Sequence, residues 1–201
     1  MEISAELVKQ LRDKTGAGVL DCRNALKEAD GDIEKAFDNL RKMGIAKAES
    51  KSSREANEGA VLSYIHPGNK LGVIVEINCE TDFVARTDEF LKLAKEVSMQ
   101  IAASNPIAVT RDEIPEELAE REREVHAGSK DLEGKPENMI DKIIDGKMDK
   151  WYKQVCLMEQ AYIKEPSQSI SDIIKASVGT LGENITISRF SRFQLGDNSK
   201  A

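Results

Sequence analysis

Apolar residues recur at helical spacing in three stripes along residues 1–44. Ser4 precedes the first stripe as a candidate N-cap, and Asp32 or Asp30 precedes the third. Gly44 follows the third stripe and is a candidate C-terminal stop. The pattern predicts three short helices that pack as a small bundle. The stripes are Ile3, Leu7, Val8 and Leu11; Val19, Cys22, Leu26 and Ala29; and Ile33, Ala36, Phe37 and Leu40.

The period changes after this bundle. Residues 45–58 are polar and Ala-rich without an apolar stripe, which indicates a linker, or a helix exposed to solvent. Residues 59–66 and 71–79 are β-branched runs, and Pro67-Gly68-Asn69 between them has the composition of a turn. We therefore predict a β-hairpin.

Helical and extended patterns alternate in the remainder of the chain. Thr87 is a candidate cap for the first of these helices, and Pro115 suits the first turn of another. The apolar alternation of the last segment slips near Ser188, which favours a β-bulge. The chain is thus predicted to be an α+β protein, with a three-helix domain at 1–44, a linker at 45–58 and a core domain with a small antiparallel sheet at 59–201. The predicted elements are helices near 88–103, 116–128, 140–155 and 170–178 and a strand near 184–193.

Charge and composition exclude several classes of function. The formal net charge is −7, and residues 111–145 alone carry 6 basic and 12 acidic groups. Such a chain lacks the basic surface that nucleic-acid phosphates or anionic lipids require. Aromatic residues make up only 4% of the sequence, which argues against stacking platforms for single-stranded nucleic acid. We expect a water-soluble protein that contacts another protein and neither nucleic acid nor a membrane.

The three cysteines, Cys22, Cys79 and Cys156, are too far apart for a zinc or redox motif. Isolated reduced thiols are typical of cytosolic proteins, and the acidic N-terminus resembles neither a signal nor a transit peptide. We therefore expect a cytoplasmic location, no metal and no cofactor. A thiol enzyme using Cys79 and His66 is an alternative, but the two residues flank opposite ends of the predicted hairpin. No phosphate-binding loop is present, and we expect no enzyme activity.

The segment that follows the second predicted strand is polar with a phenylalanine at its centre, Asn78-Cys-Glu-Thr-Asp-Phe-Val-Ala-Arg86. From composition alone, Phe83 and Val84 would be core residues at the start of the next helix, with Thr81 or Asp82 as the cap.

Several ordered motifs together give a different interpretation, because the chain from about residue 3 to 196 resembles the elongation factor Ts family. The elements Thr15-Gly-Ala-Gly18 and Thr81-Asp-Phe-Val84 are the most specific of them. The others are Leu7-Val-Lys-x-Leu-Arg12, Asp21-Cys-x-x-Ala-Leu26, Gly31-Asp-Ile-Glu-x-Ala36, Gly134-Lys-Pro136, Ile140-x-x-Ile-Ile-x-Gly146, Gly182-Glu-Asn-Ile185 and Arg189-Phe190.

The resemblance implies a guanine-nucleotide exchange factor for elongation factor Tu. It implies that the N-terminal unit, similar to ubiquitin-associated domains, docks on the partner in its GDP form. The segment Thr81, Asp82, Phe83 and Val84 would reach towards the partner's Mg²⁺ and GDP and promote GDP release. The docking residues implied by position are Arg12, Val19 and Leu20.

The chain resembles the short form of the family, because a single sheet-bearing core is present. This implies that two chains pair, and the strand near 184–195 is a candidate contact since it lies at a predicted sheet edge. Ser191 offers no thiol there, so no intermolecular disulfide is expected. A passive adaptor that binds a partner without changing nucleotide release is the alternative.

Overall fold

The computed structural model describes residues 3–197, and these contain eight α-helices and five β-strands. Short 3₁₀ turns lie between several of them. The helices are α1 (Ala5–Thr15), α2 (Val19–Glu28), α3 (Ile33–Lys51), α4 (Asp82–Ala85), α5 (Asp88–Ser104), α6 (Glu116–Ala127), α7 (Glu137–Val155) and α8 (Ile170–Leu181). The strands are β1 (Glu58–Ile65), β2 (Leu71–Cys79), β3 (Ala161–Tyr162), β4 (Glu165–Ser169) and β5 (Thr186–Gln194).

Helices α1, α2 and α3 form the predicted N-terminal bundle around one apolar cluster. The Ser4 hydroxyl accepts a hydrogen bond from the backbone N–H of Leu7 at 3.3 Å, so the predicted cap of α1 is confirmed. Gly16 ends α1 with φ of 67°, a left-handed conformation in which glycine avoids a Cβ clash. Asp32 caps α3, which resolves the choice between Asp30 and Asp32. The buried members of the cluster are Val8, Leu11, Cys22, Ala25, Leu26, Ala29, Ala36 and Leu40.

The predicted end of the third helix at Gly44 is wrong, because α3 continues to Lys51. Gly44 instead lies inside the helix, beside Gly179 of α8. A Cβ placed on Gly179 would lie 3.0 Å from the Gly44 Cα, so position 179 has no room for a larger residue without a shift, whereas a Cβ on Gly44 would meet nothing within 4 Å. The first part of the predicted linker is consequently helical.

Strands β1, β2 and β5 form a sheet in the order β1-β2-β5. The predicted hairpin is confirmed, and the N–H of His66 donates to the Leu71 carbonyl at 2.8 Å across its turn. The N–H of Leu195 donates to the Lys70 carbonyl at 2.8 Å, which places the end of β5 beside the start of β2, as in an antiparallel pair. Strand β5 is therefore an edge strand, as predicted. Together with the helices, this sheet confirms the α+β class.

A second hairpin, formed by β3 and β4, was not predicted. Its strands are short and show no apolar alternation, so no hydrophobic pattern in the sequence indicates them. Buried Gln100 on α5 stabilises this hairpin, since its amide donates to the Ala161 carbonyl at 3.1 Å and its carbonyl accepts from the Ile163 N–H at 2.9 Å.

The helices predicted after the hairpin are confirmed as α5, α6, α7 and α8. The Thr87 hydroxyl caps α5 by accepting from the Phe90 N–H at 3.2 Å. Helix α6 buries no side chain completely, which agrees with its nearly continuous charge. Gly146 does not interrupt α7.

The chain divides into two compact units, each assembled from separate segments. The first unit comprises the residues up to Ala60, Ile77–Ala94 and Asp172–Thr186, and the second comprises Val61–Glu76, Lys95–Ser171 and the residues from Ile187 onward. Neither unit has the bounds of a predicted domain, and the functional division at 44 and 58 stays a prediction. Within residues 3–197, no helix is both long and apolar enough to span a bilayer.

Candidate functional site

The polar segment after β2 forms the four-residue helix α4 at the end of a buried strand. Val75, Ile77 and Cys79 of β2 are completely buried, so the strand fixes the point at which the chain leaves the core. The Thr81 hydroxyl then accepts a hydrogen bond from the Val84 N–H at 3.4 Å and caps α4. Of the two predicted caps, Thr81 is therefore the observed one. We call residues Thr81, Asp82, Phe83 and Val84 the tip.

The side chain of Phe83 lies in solvent. It is 79% exposed, the highest value among the large hydrophobic residues that are exposed in the described part of the chain. Ala85, two positions later, is buried, and Val84 is half-buried, so α4 turns Ala85 towards the core and Phe83 away from it. The interpretation of Phe83 as a core residue is wrong. An aromatic ring that is exposed on an ordered turn gains free energy when it is buried against a partner protein.

Asp82 forms an ion pair with Arg86 at 2.8 Å, one helical turn later. Both side chains are substantially exposed, at 44% and 76%, so solvent screens the pair and its contribution to stability is small. The carboxylate therefore remains accessible beside Phe83.

A carboxylate from a distant part of the sequence holds the start of the tip. Glu183, in the loop between α8 and β5, accepts hydrogen bonds from the Glu80 N–H at 3.1 Å, the Thr81 N–H at 3.0 Å and the Thr81 hydroxyl at 2.7 Å. In return, the Glu80 carboxylate accepts from the Asn184 N–H at 2.7 Å. Sequence reasoning did not assign these residues a role, because a separation of about a hundred positions gives no periodic signal. The motif Gly182-Glu-Asn-Ile185 was the one available indication.

The predicted docking residues lie where α1 ends and α2 begins. Arg12 is exposed in the last turn of α1, and its carbonyl accepts from the Gly16 N–H at 2.8 Å. Val19 and Leu20 open α2 and are 52% and 73% exposed, although Val19 belongs to an apolar stripe whose other members are buried. These residues and the tip belong to different predicted domains, whereas in the structure both sets lie in the first compact unit.

Cys79 is unsuited to act as a nucleophile. Its side chain is completely buried, and its thiol donates to the Thr81 carbonyl at 3.1 Å. Burial, and next the negative charge of Glu183, raise the pKa of the Cys79 thiol, which disfavours the reactive thiolate. His66, its partner in the thiol-enzyme alternative, is exposed at the hairpin turn and shares a 3.0 Å hydrogen bond with the Tyr64 hydroxyl. This geometry disfavours that alternative.

No side-chain cluster suited to a metal was found in residues 3–197: groups of three or more His, Cys, Asp or Glu residues that could ligate an ion are absent there.

A second exposed apolar surface lies in the second compact unit, on one face of the sheet. Alternate residues of β1 and β2 point to this face, together with the end of β5. A groove of about 410 Å³ runs along it between Ile65, Ile74 and Phe193. We call this surface the sheet face; its large exposed members are Val61 (68%), Ile65 (59%), Ile74 (48%), Phe193 (61%) and Leu195 (74%).

The sequence is similar to known proteins over nearly its whole length. A family model described as Elongation factor TS matches residues 41–197. Elongation factor Ts of Desulfosudis oleivorans is 55% identical over 195 residues, covering 97% of this chain and 98% of that protein. The corresponding protein of Caldanaerobacter subterraneus subsp. tengcongensis is 52% identical with the same coverage, and that of Fervidobacterium nodosum is 49% identical over 98% of this chain and 100% of its own length. The chain therefore belongs to the elongation factor Ts family of translation factors.

Proposed function

We propose that this chain binds elongation factor Tu in its GDP form and promotes GDP release, so that GTP can load. The observation that carries the proposal is Phe83, which is 79% exposed on a capped helical turn. In this proposal Arg12, Val19 and Leu20 dock on the partner, as a unit similar to ubiquitin-associated domains. The tip then acts on the partner's Mg²⁺ and phosphate site. The chain itself catalyses no covalent step.

The Phe83 ring supplies the energy for this action. Complete burial of a phenylalanine in an apolar pocket is worth about 1.5–3 kcal/mol, enough to bias an element that has two alternative positions. The partner holds GDP through a phosphate-binding loop and through Mg²⁺, which neutralises phosphate charge. When the wedged ring separates the elements around the Mg²⁺ or turns a peptide of that loop, the nucleotide loses contacts and dissociates.

Asp82 lies next to the ring and brings a negative charge to the same place. Its pair with Arg86 is exposed, so the carboxylate can exchange Arg86 for a partner group at little cost. A negative charge that approaches a phosphate-bound Mg²⁺ competes for the metal and weakens its hold on GDP. Asp82 and Phe83 therefore act in the same direction.

Thermodynamic linkage determines how the cycle ends. The factor by which this chain lowers the partner's affinity for GDP equals the factor by which GDP lowers the partner's affinity for this chain. Binding of GTP, when it is the more abundant nucleotide, therefore expels the chain. Exchange becomes faster, and the final equilibrium is unchanged.

We also propose that two copies pair through the sheet face. Five large apolar side chains are exposed there on neighbouring strands, and β5 forms an edge. A continuous apolar surface of this kind favours burial against a like surface. The acidic charge, concentrated in residues 111–145, supports contact with proteins rather than nucleic acid or membranes. The three free cysteines support a cytoplasmic location.

The direct test is release of a fluorescent GDP from elongation factor Tu after addition of excess unlabelled nucleotide. We expect the wild-type chain to raise the release rate with a saturable dependence on its concentration. The passive adaptor predicts binding, seen for example by calorimetry, with the release rate of the partner alone. Binding without acceleration would refute the exchange function, and light scattering of the chain alone tests the proposed pairing.

A further inference from the structure

We propose that Glu183 is a positioning residue, which holds the tip in a fixed relation to the helices that carry the docking residues. The inference rests on the proposed exchange function and adds a residue to which that function assigned no part. Glu183 lies in the loop between α8 and β5, within the same compact unit as the tip and the bundle.

The Glu183 carboxylate makes several hydrogen bonds at the start of the tip. Glu183 accepts from two successive backbone N–H groups and from the hydroxyl of Thr81, the residue that caps α4. Hydrogen bonds to an ionised carboxylate are stronger than bonds between neutral groups, and three of them fix the backbone direction at which the tip begins. The Glu80 carboxylate bonds the Asn184 N–H in the opposite sense, so the two segments are joined by crossed side-chain bonds.

This junction is also bonded to the end of α3. Arg54, just beyond α3, lies 3.5 Å from the Glu80 carboxylate, and its carbonyl accepts from the Asn184 side-chain amide at 2.7 Å. Lys51, the last residue of α3, donates to the carbonyl of Gly182. The loop that carries Glu183 is therefore bonded on one side to the tip and on the other to α3.

Helix α8 in turn packs against the bundle. Gly179 of α8 lies against Gly44 of α3, where an added Cβ would be 3.0 Å from the Gly44 Cα. Thr180 lies 3.6 Å from the position of a Cβ at Gly16, in the turn between Arg12 and Val19. Side-chain bonds and close packing thus run continuously from the docking turn through α8 and its loop to Thr81.

The stiffness of the tip determines how much of the binding energy acts through the Phe83 ring. A wedge displaces its target only when its own support is stiffer than the target, since otherwise the tip moves instead. A loosened tip would also lose conformational freedom on binding, and this entropic cost reduces the binding free energy that is available to displace the partner's elements. Loss of the Glu183 bonds is therefore expected to lower the maximal rate of GDP release, whereas the docking surface on α1 and α2 stays intact.

The test is Glu183→Gln. The amide oxygen of glutamine can still accept from the two N–H groups, but the bond with the Thr81 hydroxyl must reverse its direction. The charge that strengthens all three bonds is lost, while the size of the side chain is kept. We expect the maximal rate of stimulated GDP release to fall about tenfold, the scale of a small misplacement at a reacting site. The chain concentration for half-maximal stimulation should change less than about twofold, because docking binding is retained. Glu96→Gln, a half-buried carboxylate paired with Lys164 in the other unit, is the matched control and should leave both quantities unchanged.

Two further readouts separate positioning from general destabilisation. Hydrogen exchange of the Thr81 amide should quicken about tenfold in Glu183→Gln, while amides in the α1–α2 core keep their protection. In a double-mutant cycle, Glu183→Gln should have little further effect on the maximal rate once Phe83 is alanine, because it acts through the ring. If Glu183→Gln does not fold, Glu80→Ala removes the acceptor of the Asn184 N–H and is expected to give the same pattern.

The outcomes discriminate between the two proposals. A wild-type chain that does not accelerate GDP release refutes the exchange function itself. A wild-type chain that accelerates release, with Glu183→Gln equal to it, overturns the positioning role alone. The positioning role is also overturned if Thr81 exchanges faster without loss of maximal rate, or if the effects of Glu183→Gln and Phe83→Ala simply add.

Discussion

Two phenylalanines are exposed within residues 3–197, and their surroundings are opposite in character. Phe83 (79% exposed) projects from a four-residue helix whose start is held by polar bonds, and its half-buried neighbours leave it alone in solvent. Phe193 (61% exposed) belongs to an edge strand and lies beside a groove lined by other apolar side chains. The first belongs to one compact unit and the second to the other.

The difference suggests two kinds of contact. A single ring on a stiff support fits a small pocket and concentrates its energy there, as anchor residues do in protein interfaces. An extended apolar face gains its stability from area and therefore suits a broad, self-complementary contact. We accordingly assign Phe83 to work on the partner and Phe193 to pairing of two chains. Two predictions test this assignment, a third tests the docking turn, and a fourth tests the stability of the fold that supports both.

The largest effect is expected for Phe83→Ala. Loss of a burial worth about 1.5–3 kcal/mol lowers the maximal rate of stimulated GDP release about 10- to 100-fold. Release of fluorescent GDP at saturating chain measures this directly, and the fold should be unchanged because the ring makes no core contact. Val125→Ala, at a 59% exposed apolar position on α6, is the matched control. Equal maximal rates for Phe83→Ala and wild type would show that the ring is not the wedge.

The next largest effect is expected in the molar mass of the protein in solution, and not in the rate of GDP release. We expect the wild-type chain to have twice the chain mass of 22.2 kDa in light scattering, and Phe193→Asp to have the mass of a single chain. A charge placed in a buried apolar contact is costly, whereas Phe83→Asp should leave the mass unchanged. If Phe193→Asp and wild type have the same mass, the sheet face is not the pairing surface.

A smaller effect is expected for Leu20→Ala in the docking turn. Removal of an apolar contact there weakens binding to the partner, so the half-maximal concentration should rise about tenfold at an unchanged maximal rate. Leu118→Ala, on α6 of the other unit, controls for loss of a partly exposed leucine. A fall in maximal rate without a change in the half-maximal concentration would contradict the division between docking and tip.

The smallest effect is a pH dependence of stability. Burial raises the pKa of the Cys156 thiol to about 11, from an ordinary value near 9.0. The folded state therefore holds this proton more tightly than the unfolded state, so its contribution is complete below about pH 9 and is lost as the pH rises through about 11. The free energy of unfolding should fall by at most about 3 kcal/mol over this interval. In Cys156→Ala this part of the decline should be missing, and parallel curves for the two proteins would refute the assignment.

The helices and the hairpin could be predicted because their signals are local. The stripe of Leu7, Val8 and Leu11 and the turn at Gly68-Asn69 each fix an element within a few residues. Gly44 misled the prediction because it lies inside a helix that continues to Lys51, beside Gly179, which only the folded chain brings near.

The tip could be identified from its sequence, but its support could not. A phenylalanine within a polar segment, preceded by a capping Thr81, was visible as an anomaly, and its exposure decided between a core and a surface role. The bonds from Glu183 depend on the return of the chain from α8 about a hundred residues later. Such contacts between distant polar residues have no period and no characteristic composition.

The central claim is that the tip accelerates release by acting on the partner's Mg²⁺ and phosphate site. The most direct measurement compares the acceleration of GDP release by saturating wild-type chain in millimolar Mg²⁺ and in excess EDTA. If the chain acts by weakening the hold of Mg²⁺, removal of the metal already supplies much of that effect, and the acceleration factor should fall about tenfold or more in EDTA. The same acceleration factor in both conditions would contradict the claim.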